Sequence, residues 1–178
     1  QKTGLLLDPY FSATKIAWIL ENVDGARAKA AAGNLRFGTV DTFLLWHLSD
    51  RKIFKTDITN ASRTSLYNIN TLSWDQELLD IFNVPLSMLP EVCSSDAKFG
   101  SLARNGCKIP ITGMIGDQQS ALVGQECFEY GDMKATFGTG CFLMVNSGLK
   151  PQMSGAGLLS TVGYKLDGNV NYALEGSI

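Results

Sequence analysis

Apolar and polar positions follow two different periods along this chain, helical in its first two thirds and strand-like in the rest. Asp8-Pro9-Tyr10-Phe11 reads as an extended or turn segment, because the residue before a proline avoids helical backbone. Ile16, Ile19, Leu20 and Val23 then recur at helical spacing, with Ser12 or Thr14 as the cap. Asp24-Gly25 interrupts this helix, and the alanine-rich stretch 26–32 resumes helix until Gly33 stops it. Asp41 is placed to cap a third helix with Leu44, Leu45 and Leu48 inward. Residues 52–56 look like a strand, and Asp57 to Thr64 like a polar loop. Ser73-Trp74-Asp75-Gln76 has the form of a capping box before Leu78, Leu79 and Phe82, and Val84-Pro85 ends that helix. Residues 94–108 read as a loop-rich connection, 109–115 as a buried strand, and 118–127 as a helix.

After Gly131 the period shortens to two. Met133, Ala135 and Phe137 alternate, Gly138-Thr139-Gly140 turns the chain, and 141–145 return as a second strand. Residues 158–162 predict another strand, and 164–172 a hairpin around Asp167-Gly168. The change of period puts a domain boundary at 128–131, separating a mixed α/β part, 1–128, from a strand-rich part, 129–178.

Composition narrows the function classes. A chain of 178 residues accommodates one domain, or one domain and the start of another, and 45% hydrophobic residues suffice for a core. Lys+Arg total 15 against 17 Asp+Glu, a net charge of −2, which argues against nucleic-acid binding through bulk electrostatics. Cys93, Cys107, Cys127 and Cys141 form no Cys-x-x-Cys pair, and His47 is the single histidine, so a zinc ligand set is lacking. Reduced thiols and a cytoplasmic setting are expected. No apolar run reaches the roughly 18 residues of a membrane span. Gln1 at the start and a strand-like end at Ile178 suggest a segment of a longer polypeptide.

Four stretches could carry chemistry, each with a structural alternative. Gly116-Asp117-Gln118-Gln119 joins a strand to a helix, so Asp117 is either a helix cap or a carboxylate aimed at a ligand beyond the strand end. Gly138-Thr139-Gly140 is either an ordinary hairpin turn or a phosphate-approaching loop. Tyr10 either packs on the following helix or offers its ring and hydroxyl to a small polyol. The 56–64 stretch either ties segments together through Asn60 and Arg63 or contacts a ligand. His47, at a helix end, reads as a dipole partner and not as a base.

Taken in order, Tyr10 to Asn22, Phe37-Gly38-Thr39-Val40-Asp41-Thr42, the Thr-Asp-Ile-Thr-Asn-Ala-Ser-Arg-Thr run, Gly116 to Gln119 and Phe137 to Phe142 resemble the FGGY carbohydrate-kinase family, in its glycerol-phosphorylating branch. The resemblance covers essentially the whole chain. It implies an α/β fold of the actin-like, ribonuclease-H-like type, with the latter part of a first lobe and the start of a second. It implies Mg²⁺·ATP-dependent phosphorylation of glycerol at a terminal hydroxyl, by an enzyme that forms homo-oligomers. By match to the family's motifs, Asp117 would be the general base, and Tyr10, Asp117, Gln118 and Phe142 would bind the polyol. Gly138, Thr139 and Gly140 would meet the nucleotide phosphates. No metal ligand is assigned within the chain.

The family's Asp-x-Gly-Thr phosphate loop is absent here, as is the Arg-Glu pair that grips glycerol. Ser101 to Lys108 does not match the loop of members regulated by a sugar bisphosphate. The 178 residues are therefore expected to be inactive alone. Another FGGY kinase, for a different sugar or polyol, and a non-catalytic actin-like nucleotide-binding module are the alternatives.

Overall fold

The computed structural model describes residues 1–138 and 140–177. Its first helices pack on one another. Helix α1 (Ser12–Asn22) buries Ala13, Ile16 and Leu20. Neither Ser12 nor Thr14 caps it. Phe11 stands at the cap position with no side-chain bond, and Ile19 and Val23 are about half exposed. The Asp24-Gly25 break holds, with Gly25 at φ 73° opening α2 (Ala26–Ala31). These helices share a core with Leu79, Val84 and Met88 from α5 (Gln76–Phe82) and the turn that follows it. In α3 (Val40–Leu48) the cap position is Thr39. Leu45 is inward as expected, whereas Leu44 and Leu48 face out. The cap of α5 is Asp75, which accepts from Leu78 N at 3.2 Å; Ser73 belongs to a strand instead of a capping box.

The chain between α3 and α5 departs furthest from expectation. Strand β1 (Lys55–Asp57) leads directly into α4 (Ile58–Ala61), so residues 57–61 are a buried helical turn and not a polar loop. The polar side chains point inward to satisfy one another, which hides the segment from a hydropathy pattern. Short strands β2 (Tyr67–Asn68) and β3 (Ser73–Trp74) pair with each other, and β1 pairs in parallel with β4 (Glu91–Cys93). Residues 100–111 form a hairpin, β5 (Gly100–Arg104) and β6 (Cys107–Ile111), which replaces the expected loop and buried strand. Strand β6 is mostly exposed, and residues 112–116 are irregular up to α6 (Asp117–Gly124).

The strand-rich part is one antiparallel sheet in the order β7-β8-β10-β9, made of β7 (Met133–Phe137), β8 (Cys141–Gly148), β9 (Leu159–Leu166) and β10 (Asn169–Ser177). Asp167 and Gly168, at φ 49° and 81°, make the β9–β10 turn that their sequence predicts. Tyr172 faces Val162 while Asn171 faces Tyr164, so Gly163 is an extra residue that bulges β9. The bulge breaks the alternation of faces. Val162 joins Ile58, Ala61, Tyr67, Ile69 and Tyr172 in one cluster, and Tyr164 joins Leu122, Met144 and Ala173 in another. The sheet is thus held between α4 on one face and α6 on the other. A Cβ at Gly163 would fit tightly, 3.4 Å from Leu122 and 3.3 Å from the Asn171 carbonyl oxygen.

Polar bonds lock the two parts together. Arg63, just after α4, donates to both carboxylate oxygens of Glu175 on β10, at 2.7 and 3.2 Å. The Tyr172 hydroxyl donates to the Ile69 carbonyl at 2.7 Å. The Glu175 side chain is only 8% exposed, so its charge depends on Arg63. Arg63→Met leaves that carboxylate buried without a cation and is expected to cost about 3–5 kcal/mol. Urea unfolding monitored by tryptophan fluorescence checks this, with Glu175→Gln expected to be milder.

Candidate active site

The site is built outward from one buried carboxylate. Asp57 is fully buried and caps α4, accepting from Thr59 N at 3.1 Å and Asn60 N at 3.0 Å. It also accepts from Asn60 Nδ2 at 2.8 Å and Ser95 Oγ at 2.7 Å. Burial pushes its pKa above the ordinary carboxylate value, and the donors from Asn60, Ser95 and Thr59 pull it back. The Thr59 hydroxyl donates to Asp57 at 2.8 Å and itself accepts from Gly116 N at 2.9 Å. Ser95 O accepts from Met114 N at 2.9 Å. The irregular stretch before α6 is therefore fastened at residues 114 and 116 to a frame centred on Asp57.

That frame sets where Asp117 stands. Gly116, at φ −62° and ψ 152°, is the cap residue of α6, so Asp117 is its first helical residue and not its cap. Among the described residues, the Asp117 carboxylate accepts only from the next backbone N–H, Gln118 N, at 2.8 Å, and it is otherwise exposed. A carboxylate in a first helical turn is favoured by the helix dipole. Gly116 also lies close to Gln119, since a Cβ there would fall 2.6 Å from Gln119 Oε1.

One open cavity of about 1290 Å³ gathers Asp117, Gln118, Tyr10 and Phe142, with Asp41, Arg63 and Glu175 further along its wall. Tyr10 is presented by the turn before α1, where Asp8 Oδ1 accepts from its N–H at 2.7 Å and its carbonyl accepts from Lys15 Nζ at 2.9 Å. Its ring meets Phe11 edge-on at 5.4 Å and remains 73% exposed, free to contact a ligand. Phe142 comes from β8, where it pairs with Thr136 and Ser177. Gly138 and Gly140 do not line this cavity. They form the β7–β8 turn, with Gly138 N donating to Gly140 O at 3.0 Å, and Thr139 lies outside the described residues. Gly138 is outside the left-handed region, so positive φ is not what selects glycine there.

Two further residues bear on the site, and a sequence reading gives neither its role. Asp41 accepts from Thr39 Oγ1 and from Thr56 Oγ1, the latter at 2.6 Å, and so ties the start of α3 to β1 at the cavity wall. Lys134 is 1% exposed and its ammonium donates to Gln118 Oε1. Asp41 signals itself in the chain only as a helix cap and as part of the 37–42 motif, and Lys134 does not, because a single Lys in a strand is a common surface residue. Among the described residues no cluster of three or more metal-ligating side chains occurs.

A model of the N-terminal domain of the FGGY family of carbohydrate kinases matches residues 1–124. The chain belongs to the FGGY family of carbohydrate kinases. A glycerol kinase of Ectopseudomonas mendocina is 59% identical over 99% of the chain, which spans 36% of that protein. Glycerol kinase 1 of Pseudomonas aeruginosa is 58% identical with the same shares. Among solved structures, Plasmodium falciparum glycerol kinase with ADP superposes with a TM-score of 0.94 at 44% identity, over 99% of this chain and 36% of that one. Gluconate kinase from Lactobacillus acidophilus, at 21% identity and a TM-score of 0.80, shares the fold. The chain thus spans about a third of the length of the relatives it matches. Its α/β fold is the actin-like fold of the FGGY kinases.

Thr59 is the link whose removal tests the site frame. Thr59→Val keeps the shape but leaves Gly116 N–H without its acceptor and removes a donor from Asp57. A loss of about 1–3 kcal/mol is expected, read by thermal unfolding, together with weaker ligand-induced stabilisation at the cavity.

Proposed function

We propose that this chain supplies the base and part of the polyol site of a glycerol phosphotransferase that uses ATP. In this reading residues 1–128 complete the first lobe of an FGGY kinase and 129–178 begin the second. The family match to residues 1–124 and the start of the sheet at Met133 support that division. The observation that carries the function is the convergence of Tyr10, Asp117, Gln118 and Phe142 on one cavity, in a chain whose relatives are glycerol kinases at 56–59% identity.

The chemistry follows from what those residues offer. A polyol presents hydroxyls that both donate and accept, and a carbon backbone that packs on aromatic rings. Asp117 accepts the proton of the reacting hydroxyl. Its exposure leaves it open to that hydroxyl, and phosphoryl transfer has a loose transition state that makes little demand on base strength. The short bond to its own helix aims the carboxylate, so the base is positioned before substrate arrives. Gln118 adds a hydrogen-bonding amide beside it, and Tyr10 and Phe142 confine the ligand.

The donor phosphates are assigned to the Gly138–Gly140 turn. Gly138, Thr139 and Gly140 are the residues assigned to those phosphate contacts, on the family resemblance. Mg²⁺ typically takes one or two carboxylates, water and the substrate's own phosphates, and so needs no all-protein cage. No carboxylate of this chain is assigned to that metal, because Asp117 is engaged with the reacting hydroxyl. When bound, the metal neutralises charge on the transferring phosphoryl group.

Asp117→Asn in the full-length kinase carrying this segment tests the assignment. Turnover of glycerol is expected to fall about 10²–10⁴-fold, the usual contribution of a general base. The melting temperature should hardly change, since among the described residues the carboxylate has no tertiary bond. Near-normal turnover contradicts the role of Asp117. A faster rate with a ketose or a sugar acid than with glycerol contradicts the substrate. The 178-residue chain alone is expected to release no glycerol-dependent ADP.

A further inference from the structure

Lys134 occupies the position that a strand ordinarily gives to a core hydrophobe. The period of two along β7 predicts Met133, Ala135 and Phe137 inside, yet Met133 and Phe137 are 60% and 82% exposed while Lys134 is 1% exposed. Its cross-strand neighbour is Met144, a buried member of the cluster beneath α6, so both side chains point toward that helix. Taking an ammonium out of water costs several kcal/mol unless its donors are engaged. Here they are met by neutral groups, Gln118 Oε1 and, at 2.9 Å, Thr136 Oγ1. Among the described residues no carboxylate lies within ion-pair distance, although Glu175 and Asp117 favour the charge from further away. Burial lowers the pKa of this lysine, and those two carboxylates oppose the shift.

The pairing determines which end of the Gln118 carboxamide faces a ligand. An ammonium only donates, so the oxygen of the amide must turn to Lys134. What Gln118 then has left for the cavity is its Nε2, a pure donor. A substrate hydroxyl bonded to Nε2 accepts through a lone pair, and its own proton must find another acceptor. The carboxylate of Asp117, the preceding residue on the same cavity wall, is that acceptor. An amide free to flip would offer its oxygen half the time and compete with Asp117 for the same proton.

We propose that Lys134 is a positioning residue that locks the Gln118 carboxamide as a donor toward the polyol and so directs the reacting hydroxyl's proton to Asp117. This inference rests on the glycerol-kinase reading, and the first measurement separates the two. Glycerol-dependent ADP release by the unaltered full-length kinase must be present; its absence sinks the functional reading itself.

A double-mutant cycle then tests the lock. Lys134→Met is expected to raise the glycerol KM about tenfold, with the ATP KM changed less than about twofold. In a Gln118→Ala background the same Lys134 change should alter the glycerol KM by less than about twofold, because the amide it orients is gone. Equal factors in both backgrounds, or no change in glycerol KM, overturn the proposal. Gln118→Glu provides the arm that does not disturb the buried lysine. It gives Lys134 an ion pair but presents an oxygen to the cavity, so glycerol KM should rise about tenfold or more while the melting temperature holds or increases. An unchanged glycerol KM in that variant overturns the proposal even where Lys134→Met fails to fold.

Discussion

Everything at the cavity leans on a carboxylate that never reaches it. Asp57 sits with no exposed surface and, among the described residues, no cation beside it, and its charge is carried by donors from Thr59, Asn60 and Ser95. Such a group is costly to bury and tolerable only when fully bonded. The same bonds that satisfy it cap α4, hold Ser95 and, through the Thr59 hydroxyl, hold Gly116. Gly116 is the residue before Asp117. The requirement to satisfy one buried charge is therefore also what aims the exposed one.

The second constraint is geometric. The sheet must serve two helices at once, α4 and α6, and a regular strand cannot present Val162 and Tyr164 to opposite faces. The Gly163 bulge resolves this, and it does so opposite Asn171 and Tyr172, where β10 alternates normally. With the sheet fixed against both helices, Phe142 from β8 and Lys134 from β7 arrive at the Asp117–Gln118 end of α6. Arg63 and Glu175 close the same arrangement from the other side. The cavity is thus assembled from segments more than 130 residues apart in the chain, from Tyr10 to Phe142.

Much of this was legible before the fold was known, and the failures are instructive. The helices α1, α2, α3, α5 and α6, the β7–β8 turn and the Asp167-Gly168 hairpin are visible from periodicity and turn chemistry, because local rules decide them. Tyr10, Asp117, Gln118 and Phe142, named by family resemblance, line one cavity, and their roles there are proposals. Residues 57–61 defeat the polar-loop reading because their polar groups are satisfied inside the protein, and hydropathy cannot distinguish an inward-facing polar network from a solvated loop. The 109–115 run was misread in the opposite sense, because apolar residues on β6 stay largely exposed. Lys134 was invisible for a related reason: only its distant partner Gln118 explains why a charged residue takes the inward place in its strand.

The claim that binds these observations is that the Asp57 frame holds Asp117 against the hydroxyl to be phosphorylated. The most direct measurement is a crystal structure of the full-length kinase with glycerol bound. The account predicts a terminal glycerol hydroxyl about 2.6–3.2 Å from the Asp117 carboxylate, with the Gln118 amide nitrogen on the same polyol and Thr59 still bridging Gly116 to Asp57. Glycerol bound away from Asp117, or Asp117 directed away from the polyol with that bridge intact, would contradict it.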